Sequence, residues 1–379
     1  MIDLLMSIFD GHNEASILLS EKYKPKKILF FYLTSKEAYR LTKFKEYYTK
    51  KFPNIEFCYE KININNPMEI ENIIMKYKAN ENIFNVTSGK KVALLMVYSL
   101  ALKNYIQCKY VDIEKELIID FSDKEINISK NSFVDLNIDD IIKSVGGSII
   151  VDSTEIYNRE AITCITYWIA KHLEIWEEIK SDLQMNDVFI RDECNPEIMK
   201  IDKNILSKDK MEFYYRALNY LKNLEMIAYK NSDDFIKVYF LNDFIKGFIF
   251  KSGTWLEVLT KNIIEEIKEI DDIKSGLLFL WNDSQSRVKN ELDVVAIKDS
   301  ILICISCKDS KKYDERALNE LNVYANQLGG ENVKKILVAT MVPAKPVVEL
   351  RAKEMGINIV LFNGSIEGFK EELKSIILK

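Results

Sequence analysis

The sequence predicts an α/β fold built from two separate α/β units with a more helical stretch between them. Three observations predict it. Over the first hundred or so residues, short apolar runs alternate with helical patterns, as in a mostly parallel sheet covered on both faces. Residues 154–245 differ in character, with long helical patterns and an aromatic stripe. After residue 246 strands and helices alternate again.

In order, residues 4–9 read as a short apolar strand, Gly11 and Asn13 as a turn, and residues 14–22 as a helix. Residues 26–32 are a second strand, and Thr34 or Ser35 caps the helix that begins at Lys36. Residues 55–61 are a third strand, Asn66-Pro67 opens a helix to about residue 77, and residues 82–86 are a fourth strand. Thr87-Ser88-Gly89 turns into an apolar helix over 90–103. Residues 111–120 and 125–128 suit a hairpin at the sheet edge. A short helix over 138–144 is broken by Gly146-Gly147, which marks a boundary. One helix carrying Tyr167, Trp168 and Trp176 is expected over 161–179, another over 210–224, and a strand over 238–241. That order fits a winged-helix-like module and a helical connector equally. A helix to about residue 269 opens the last unit. Strands follow at 277–281, 292–297, 301–308, 335–340 and 358–362, and helices at 317–327, 346–355 and 368–378. The expected domains are therefore 1–150, 151–245 and 246–379.

Composition narrows the function classes. The chain has 379 residues, enough to bury real cores without a disulfide or metal staple. Lys plus Arg is 53 against 58 for Asp plus Glu, a net charge of -5. This excludes a strongly basic polymer binder and still allows a local basic patch. Six sparse, irregularly spaced cysteines read as reduced thiols of a cytoplasmic protein. The N-terminus lacks a basic leader, and no run of 18 apolar residues exists, so no membrane partner is expected.

Two constellations carry chemistry. The first is Asn85-Val86-Thr87-Ser88-Gly89-Lys90-Lys91, between an apolar strand and an apolar helix. A helix start offers unpaired N–H groups, Thr87 and Ser88 add hydroxyls, and Lys90 and Lys91 add charge, all suited to a phosphodiester. The spacing is neither a Walker motif nor a dinucleotide fingerprint, and a plain capped turn satisfies the same pattern. The turn at Ser7, Asp10, Gly11, His12 and Asn13 leaves another strand of the same sheet, where ligands collect near a change in strand order. His172, the second histidine, is expected only to pack.

The second constellation lies near the other end. Glu291 and Asp293 share one face of a strand, and Leu292 and Val294 the other. Ser306 and Lys308 share a face of the next strand, joined by the short turn Lys298-Asp299-Ser300. Glu257 on the preceding helix can approach the same point. Carboxylates hold a hard divalent cation, and an ammonium stabilises developing charge on a phosphodiester. Lys308, Lys311, Lys312 and Arg316 form a local basic patch for a polyanionic backbone. Solvent-facing alternating charge is the plain alternative. Cys304 and Cys307 are three apart on a strand, face opposite sides, and are expected as buried fillers.

Gly253-Thr254-Trp255-Leu256-Glu257, Asn290-Glu291-Leu292-Asp293-Val294 and Ile305-Ser306-Cys307-Lys308 together resemble the PD-(D/E)xK restriction-like nucleases. The set looks most like the branch fused to a CRISPR-associated Rossmann-fold (CARF) sensor domain. Residues 85–91 resemble that sensor's second ligand loop, and Ser7 to Asn13 stand where its first would be. The resemblance implies a Rossmann-like sensor at the N-terminus and a restriction-endonuclease-like α/β domain at the C-terminus. It implies a homodimer that binds a cyclic oligoadenylate, commonly cyclic tetraadenylate, made in type III CRISPR antiviral defence. Binding would activate Mn²⁺- or Mg²⁺-dependent cutting of DNA, RNA or both. Asp293 would be the central metal ligand, Lys308 the catalytic lysine, Glu257 the helix acid and Glu291 an additional acid. Thr87, Ser88, Gly89, Lys90 and Lys91 would bind the messenger, with Asp10, Gly11, His12 and Asn13 opposite and Ser7 in the first loop. One departure stands out: Ser306 occupies the place of the family's acid two residues before the lysine. Glu320 or Glu291 is the candidate replacement. The alternative is a ligand-responsive nucleic-acid-binding or regulatory protein with an inactive nuclease domain.

Overall fold

The computed structural model describes residues 1–122, 125–251, 253–281, 289–311 and 313–379. Lys312 of the expected basic patch lies outside the described residues. The chain forms two compact units. One comprises Met1–Asp152, Lys268–Cys304 and Asn319–Lys335; the other comprises Ser153–Ile267, Ile305–Leu318 and Ile336–Lys379.

The first 152 residues run β1 (Leu4–Ile8), α1 (Glu14–Tyr23), β2 (Lys27–Tyr32), α2 (Ser35–Lys51), β3 (Glu56–Lys61), α3 (Pro67–Tyr77), β4 (Asn82–Asn85), α4 (Lys91–Lys103), β5 (Gln107–Asp112), β6 (Leu117–Phe121), β7 (Ile126–Lys130), α5 (Ile138–Ser144) and β8 (Gly147–Val151). Seven strands make a sheet in the order β3-β2-β1-β4-β5-β6-β7. β1 to β5 are parallel, and the β6–β7 hairpin is added antiparallel at the edge. All five residues of β1 are buried, as a central strand covered on both faces requires. Thr34, rather than Ser35, caps α2, in a capping box with Glu37. Asn66 caps α3 with Pro67 at its first turn.

α5 ends in Gly146 at φ +78, where a Cβ would meet Arg40 at 3.1 Å, so a glycine is needed there. Arg40 Nε donates to the Val145 carbonyl at 2.9 Å. β8 then leaves the first sheet altogether and pairs antiparallel with β13 further along the chain.

Residues 153–267 run α6 (Thr154–Tyr157), α7 (Glu160–Lys171), α8 (Leu173–Lys180), β9 (Phe189–Arg191), β10 (Ile198–Asp202), α9 (Lys208–Asn223), β11 (Ile227–Asn231), β12 (Phe235–Phe240), α10 (Asp243–Phe250) and α11 (Thr254–Glu265). The single helix expected over 161–179 is two, broken at His172 (φ -133, ψ 49). There the imidazole pairs with the Trp168 carbonyl at 2.8 Å and stacks on the Trp168 ring, the packing role expected of it. The helix expected to open the last unit is likewise two, α10 and α11. The middle stretch also holds more strand than was legible, a four-stranded antiparallel sheet in the order β11-β12-β10-β9. Only β12 was visible in the sequence, because β9 and β10 are short and expose alternate residues.

The remaining elements are β13 (Asp272–Trp281), β14 (Lys289–Lys298), β15 (Ile301–Lys308), α12 (Glu315–Gly329), β16 (Lys334–Ala339), α13 (Val347–Glu354), β17 (Ile357–Leu361) and α14 (Ile366–Ile377). The third sheet has the order β17-β16-β15-β14-β13-β8. β14 and β15 are neighbours joined by two residues, Asp299 and Ser300, both at positive φ (50 and 63). That is the signature of a type I′ hairpin. All six cysteines are free thiols, and Cys304 and Cys307 are buried fillers. Among the described residues, no helix is long and apolar enough to cross a membrane.

Candidate functional site

The chain runs from β1 outward through β2 and β3 on one side, then returns to place β4 and β5 on the other. The loops after β1 and β4 therefore leave the sheet at its change of strand order, the place where open α/β sheets have their ligand crevice. One carboxylate ties these loops together. Asp10 Oδ1 accepts from the Gly11 N–H at 2.6 Å, and Asp10 Oδ2 accepts from the Gly89 N–H at 3.1 Å. Gly89 stands at φ +132, and a Cβ there would meet Ile8 at 3.0 Å, so no other residue fits without strain.

Ser7 and Asn13 do not present groups to the crevice; both are fully buried. Ser7 Oγ bonds with Ser16 Oγ at 2.8 Å and accepts from Asn85 Nδ2 at 3.1 Å. Asn13 Nδ2 donates to the carbonyls of Asp10 and Ser144, and its Oδ1 accepts from the Asp10 N–H. These two residues shape the loops from behind. Asn85 does the same for the second loop, since its Oδ1 accepts from the Thr87 N–H at 3.0 Å.

Thr87 Oγ1 accepts from the Val111 N–H at 2.9 Å, which leaves its O–H to donate. Ser88 Oγ is buried and has no hydrogen-bond partner among the described residues. Lys90 Nζ reaches Glu37 Oε1 at 2.8 Å. Burial works against the Glu37 charge, but Lys90 and the N–H groups of Leu33 and Thr34 hold its carboxyl below the usual carboxylate range. Lys91 is exposed at the start of α4. His12 is about one-third exposed, and its Nδ1 lies 3.9 Å from Glu14 Oε1. Burial pushes the Glu14 carboxyl up, opposed by His12, its own backbone N–H and the Ser144 hydroxyl.

In the C-terminal constellation, Glu291 is exposed and Asp293 half-buried on one face of β14, while Leu292 and Val294 are buried on the other. Gly276, at φ +59, interrupts β13 where the register brings it opposite Asp293. Ser306 and Lys308 are the half-buried residues of an otherwise buried β15 end. Glu257 lies in the first turn of α11 and is buried. Glu320 is exposed on α12. Asp135, Asp271 and Asp299 are close enough to share an ion, and all three are exposed.

A residue the sequence did not single out organises the end of β15. The Asp309 side chain is about 1% exposed and gathers four donors. Trp176 Nε1 and Trp255 Nε1 donate to Oδ2 at 2.7 and 2.8 Å, and Lys180 Nζ and Thr340 Oγ1 donate to Oδ1, both at 2.9 Å. Asp309 thereby ties α8, α11 and the residue after β16 to the residue that follows Lys308. Its place directly after the lysine was the available signal.

Residues 246–377 match the family model of the Card1-like endonuclease domain. The match covers Glu257, Glu291, Asp293 and Lys308. None of the curated proteins matches the chain in sequence. Among solved structures, protein VC1899 from Vibrio cholerae has a TM-score of 0.74 at 17% identity, covering 98% of this chain and 97% of its own. Can2 from Sulfobacillus thermosulfidooxidans, solved with cyclic tetra-adenylate, has a TM-score of 0.71 at 17% identity, with 99% of each chain covered. A type III CRISPR defence DNA nuclease activated by cyclic oligoadenylate has a TM-score of 0.56 at 14% identity; all of this chain spans about half (52%) of that one. At these identities the likeness is one of fold. The α/β fold expected from the sequence is shared with these structures, and the nuclease resemblance read from residues 253–308 falls inside the matched Card1-like endonuclease segment.

Two outcomes follow from these contacts. Asp309→Ala leaves two indole N–H groups and a hydroxyl without their acceptor, while the partly buried Lys180 keeps Glu177, and is expected to cost about 3–5 kcal/mol in urea unfolding followed by tryptophan fluorescence. Glu14 has a folded pKa above its ordinary value of 4.5. The native state therefore keeps a proton that the unfolded chain releases, and stability is lost as pH rises from 4.5 through the folded pKa. Melting scans are expected to show Glu14→Gln gaining on the wild type as pH rises through that window.

Proposed function

We propose that this chain is a nuclease switched on by a cyclic oligoadenylate, best read as cyclic tetraadenylate, and dependent on Mn²⁺ or Mg²⁺, acting in type III CRISPR defence. The observation that carries the reading is the Card1-like endonuclease model falling on the segment that holds Glu257, Glu291, Asp293 and Lys308. The shared fold with Can2, a protein solved with cyclic tetra-adenylate, supports the messenger.

In this reading the crevice takes the messenger. Thr87 and Ser88 supply hydroxyls, Gly11 and Gly89 backbone N–H groups, and Lys90, Lys91 and His12 donors or charge. The Gly89 N–H and Lys90 Nζ are engaged by Asp10 and Glu37. An entering phosphate exchanges with those two carboxylates. A cyclic molecule with an even repeat offers equivalent faces to two copies of the crevice, so the working form is a homodimer.

Glu257, Glu291 and Asp293, with Glu320 as the further candidate, are the residues that would hold such a cation, and they offer only oxygen donors, which suit a hard divalent ion. When bound, such a cation supplies Lewis acidity to the scissile phosphodiester. Ser306 adds no charge, so the carboxylates of β14 and α11 carry the binding. Lys308 places an ammonium where negative charge develops. The substrate is DNA, RNA or both, since these groups act on the shared phosphodiester, and the setting is the cytoplasm.

The test is a cleavage assay that crosses Mn²⁺ and Mg²⁺ with cyclic tri-, tetra- and hexaadenylate, against plasmid, single-stranded DNA and RNA. Cutting is expected only with a metal and one ring together. Asp293→Ala or Lys308→Ala is expected to lower the rate at least about 100-fold with messenger binding unchanged. Full cutting by both variants would overturn the site. Gly89→Ala imposes backbone strain of about 1–3 kcal/mol and is expected to weaken messenger binding roughly 10- to 100-fold by calorimetry. Ser306 favours one second reading, a regulatory protein with an inert nuclease domain; tight messenger binding without cutting under any combination would establish it.

A further inference from the structure

The four-stranded sheet β11-β12-β10-β9 has two chemically distinct faces. On its inner face, Ile236, Val238, Met199 and Ile201 are buried with side chains of α8, α9 and α10. The outer face carries Phe235, Lys237 and Tyr239 of β12, each half-buried. Pairing places Lys230 of β11 opposite Lys237, and Lys237 opposite Lys200 of β10. Three ammonium groups thus share one row across three adjacent strands, with successive Cβ atoms about 5 Å apart.

Like charges directly opposite one another work against strand pairing. Among the described residues, none of the three lysines forms an ion pair with an acid. Aromatic rings flank the row on both sides along β12. Tyr239 lies two residues on along the same face, its ring 5.3 Å from Lys237 Nζ, and Phe235 two residues back. Asp202 sits opposite Phe235, and its carboxylate accepts from the Asn204 N–H at 2.9 Å.

A row of unneutralised cations between two rings fits one chemistry closely. A single strand of nucleic acid brings phosphates to the lysines and unstacked bases to the rings. A duplex hides its base faces, and an acidic peptide leaves the rings unused. We propose that this outer face binds single-stranded nucleic acid, with phosphates on Lys200, Lys230 and Lys237 and bases on Tyr239 and Phe235. This goes beyond the nuclease reading and does not depend on it.

The experiment is fluorescence anisotropy of the full-length protein with a labelled oligothymidylate of about 15 nucleotides, titrated across a salt series. A chelator is present throughout, so cutting does not interfere and an inert nuclease domain does not alter the result. Lys200→Ala, Lys230→Ala and Lys237→Ala combined are expected to weaken binding at least about tenfold. The slope of log K against log salt is expected to fall by about 2, at roughly 0.7 per phosphate. Tyr239→Ala is expected to weaken binding at every salt concentration with the slope unchanged. The triple arginine replacement is expected to bind as the wild type does. If the triple alanine variant does not fold, Lys237→Ala alone is expected to remove about 0.7 of the slope. Wild-type affinity and slope in the lysine variants would overturn the proposal. Equal competition by polyglutamate would also overturn it, and would point to an acidic protein instead.

Discussion

The contact on which most else depends is the buried Asp309 carboxylate. Removing such a group from water is expensive, and only a full set of donors makes it tolerable. Two indole N–H groups, one hydroxyl and one ammonium supply that set. Because the four come from three places in the chain, α8, α11 and the residue after β16, satisfying one side chain sets several positions at once. α11 is held through Trp255, which brings the turn containing Glu257 with it. The backbone beyond Lys308 is held through Asp309 itself, and the Lys308 carbonyl accepts from the Thr340 N–H. A neutral residue here would be cheaper to bury but would specify the arrangement less sharply.

The crevice of the first sheet follows related logic with a different consequence. Its walls are held by groups that are fully used inside the protein: Ser7, Asn13, Ser16 and Asn85 bond with one another or with nearby backbone. Its open side is guarded by carboxylates. Asp10 takes the Gly89 N–H, and Glu37 takes the Lys90 ammonium. On the proposed reading, these two acids occupy the donors that a phosphate needs. Binding then releases Asp10 from the loop after β4 and Glu37 from Lys90, which links occupancy of the crevice to the positions of two loops and of α2.

Much of this was legible beforehand, and for identifiable reasons. β1, β2 and β4 are continuous apolar runs between turn residues, so their existence and type followed from pattern alone. The Asp299-Ser300 turn was short enough to force β14 and β15 together. The break at His172 was not legible, because the apolar spacing on either side continues as if the helix were whole. β9, β10 and β11 were missed because they are short and half-exposed, with Lys200 and Lys230 interrupting the apolar pattern of the last two. Ser7 and Asn13 read as ligand groups because they are polar and lie in the right loop; their burial was invisible.

The sequence by itself determined the alternation of strands and helices from β1 to α4, the alternation that places Glu291 with Asp293 and Ser306 with Lys308, and the family likeness carried by those motifs. These are local properties, set by periodicity and spacing along the chain. Only the tertiary structure decided which polar groups are spent inside the protein and which remain open. It alone brought Trp176, Trp255, Lys180 and Thr340 to one carboxylate, sent β8 to β13, and aligned Lys200, Lys230 and Lys237 in one row. Each depends on residues far apart in the chain meeting in space, and on the cost of burying charge that is paid only where partners from distant segments converge.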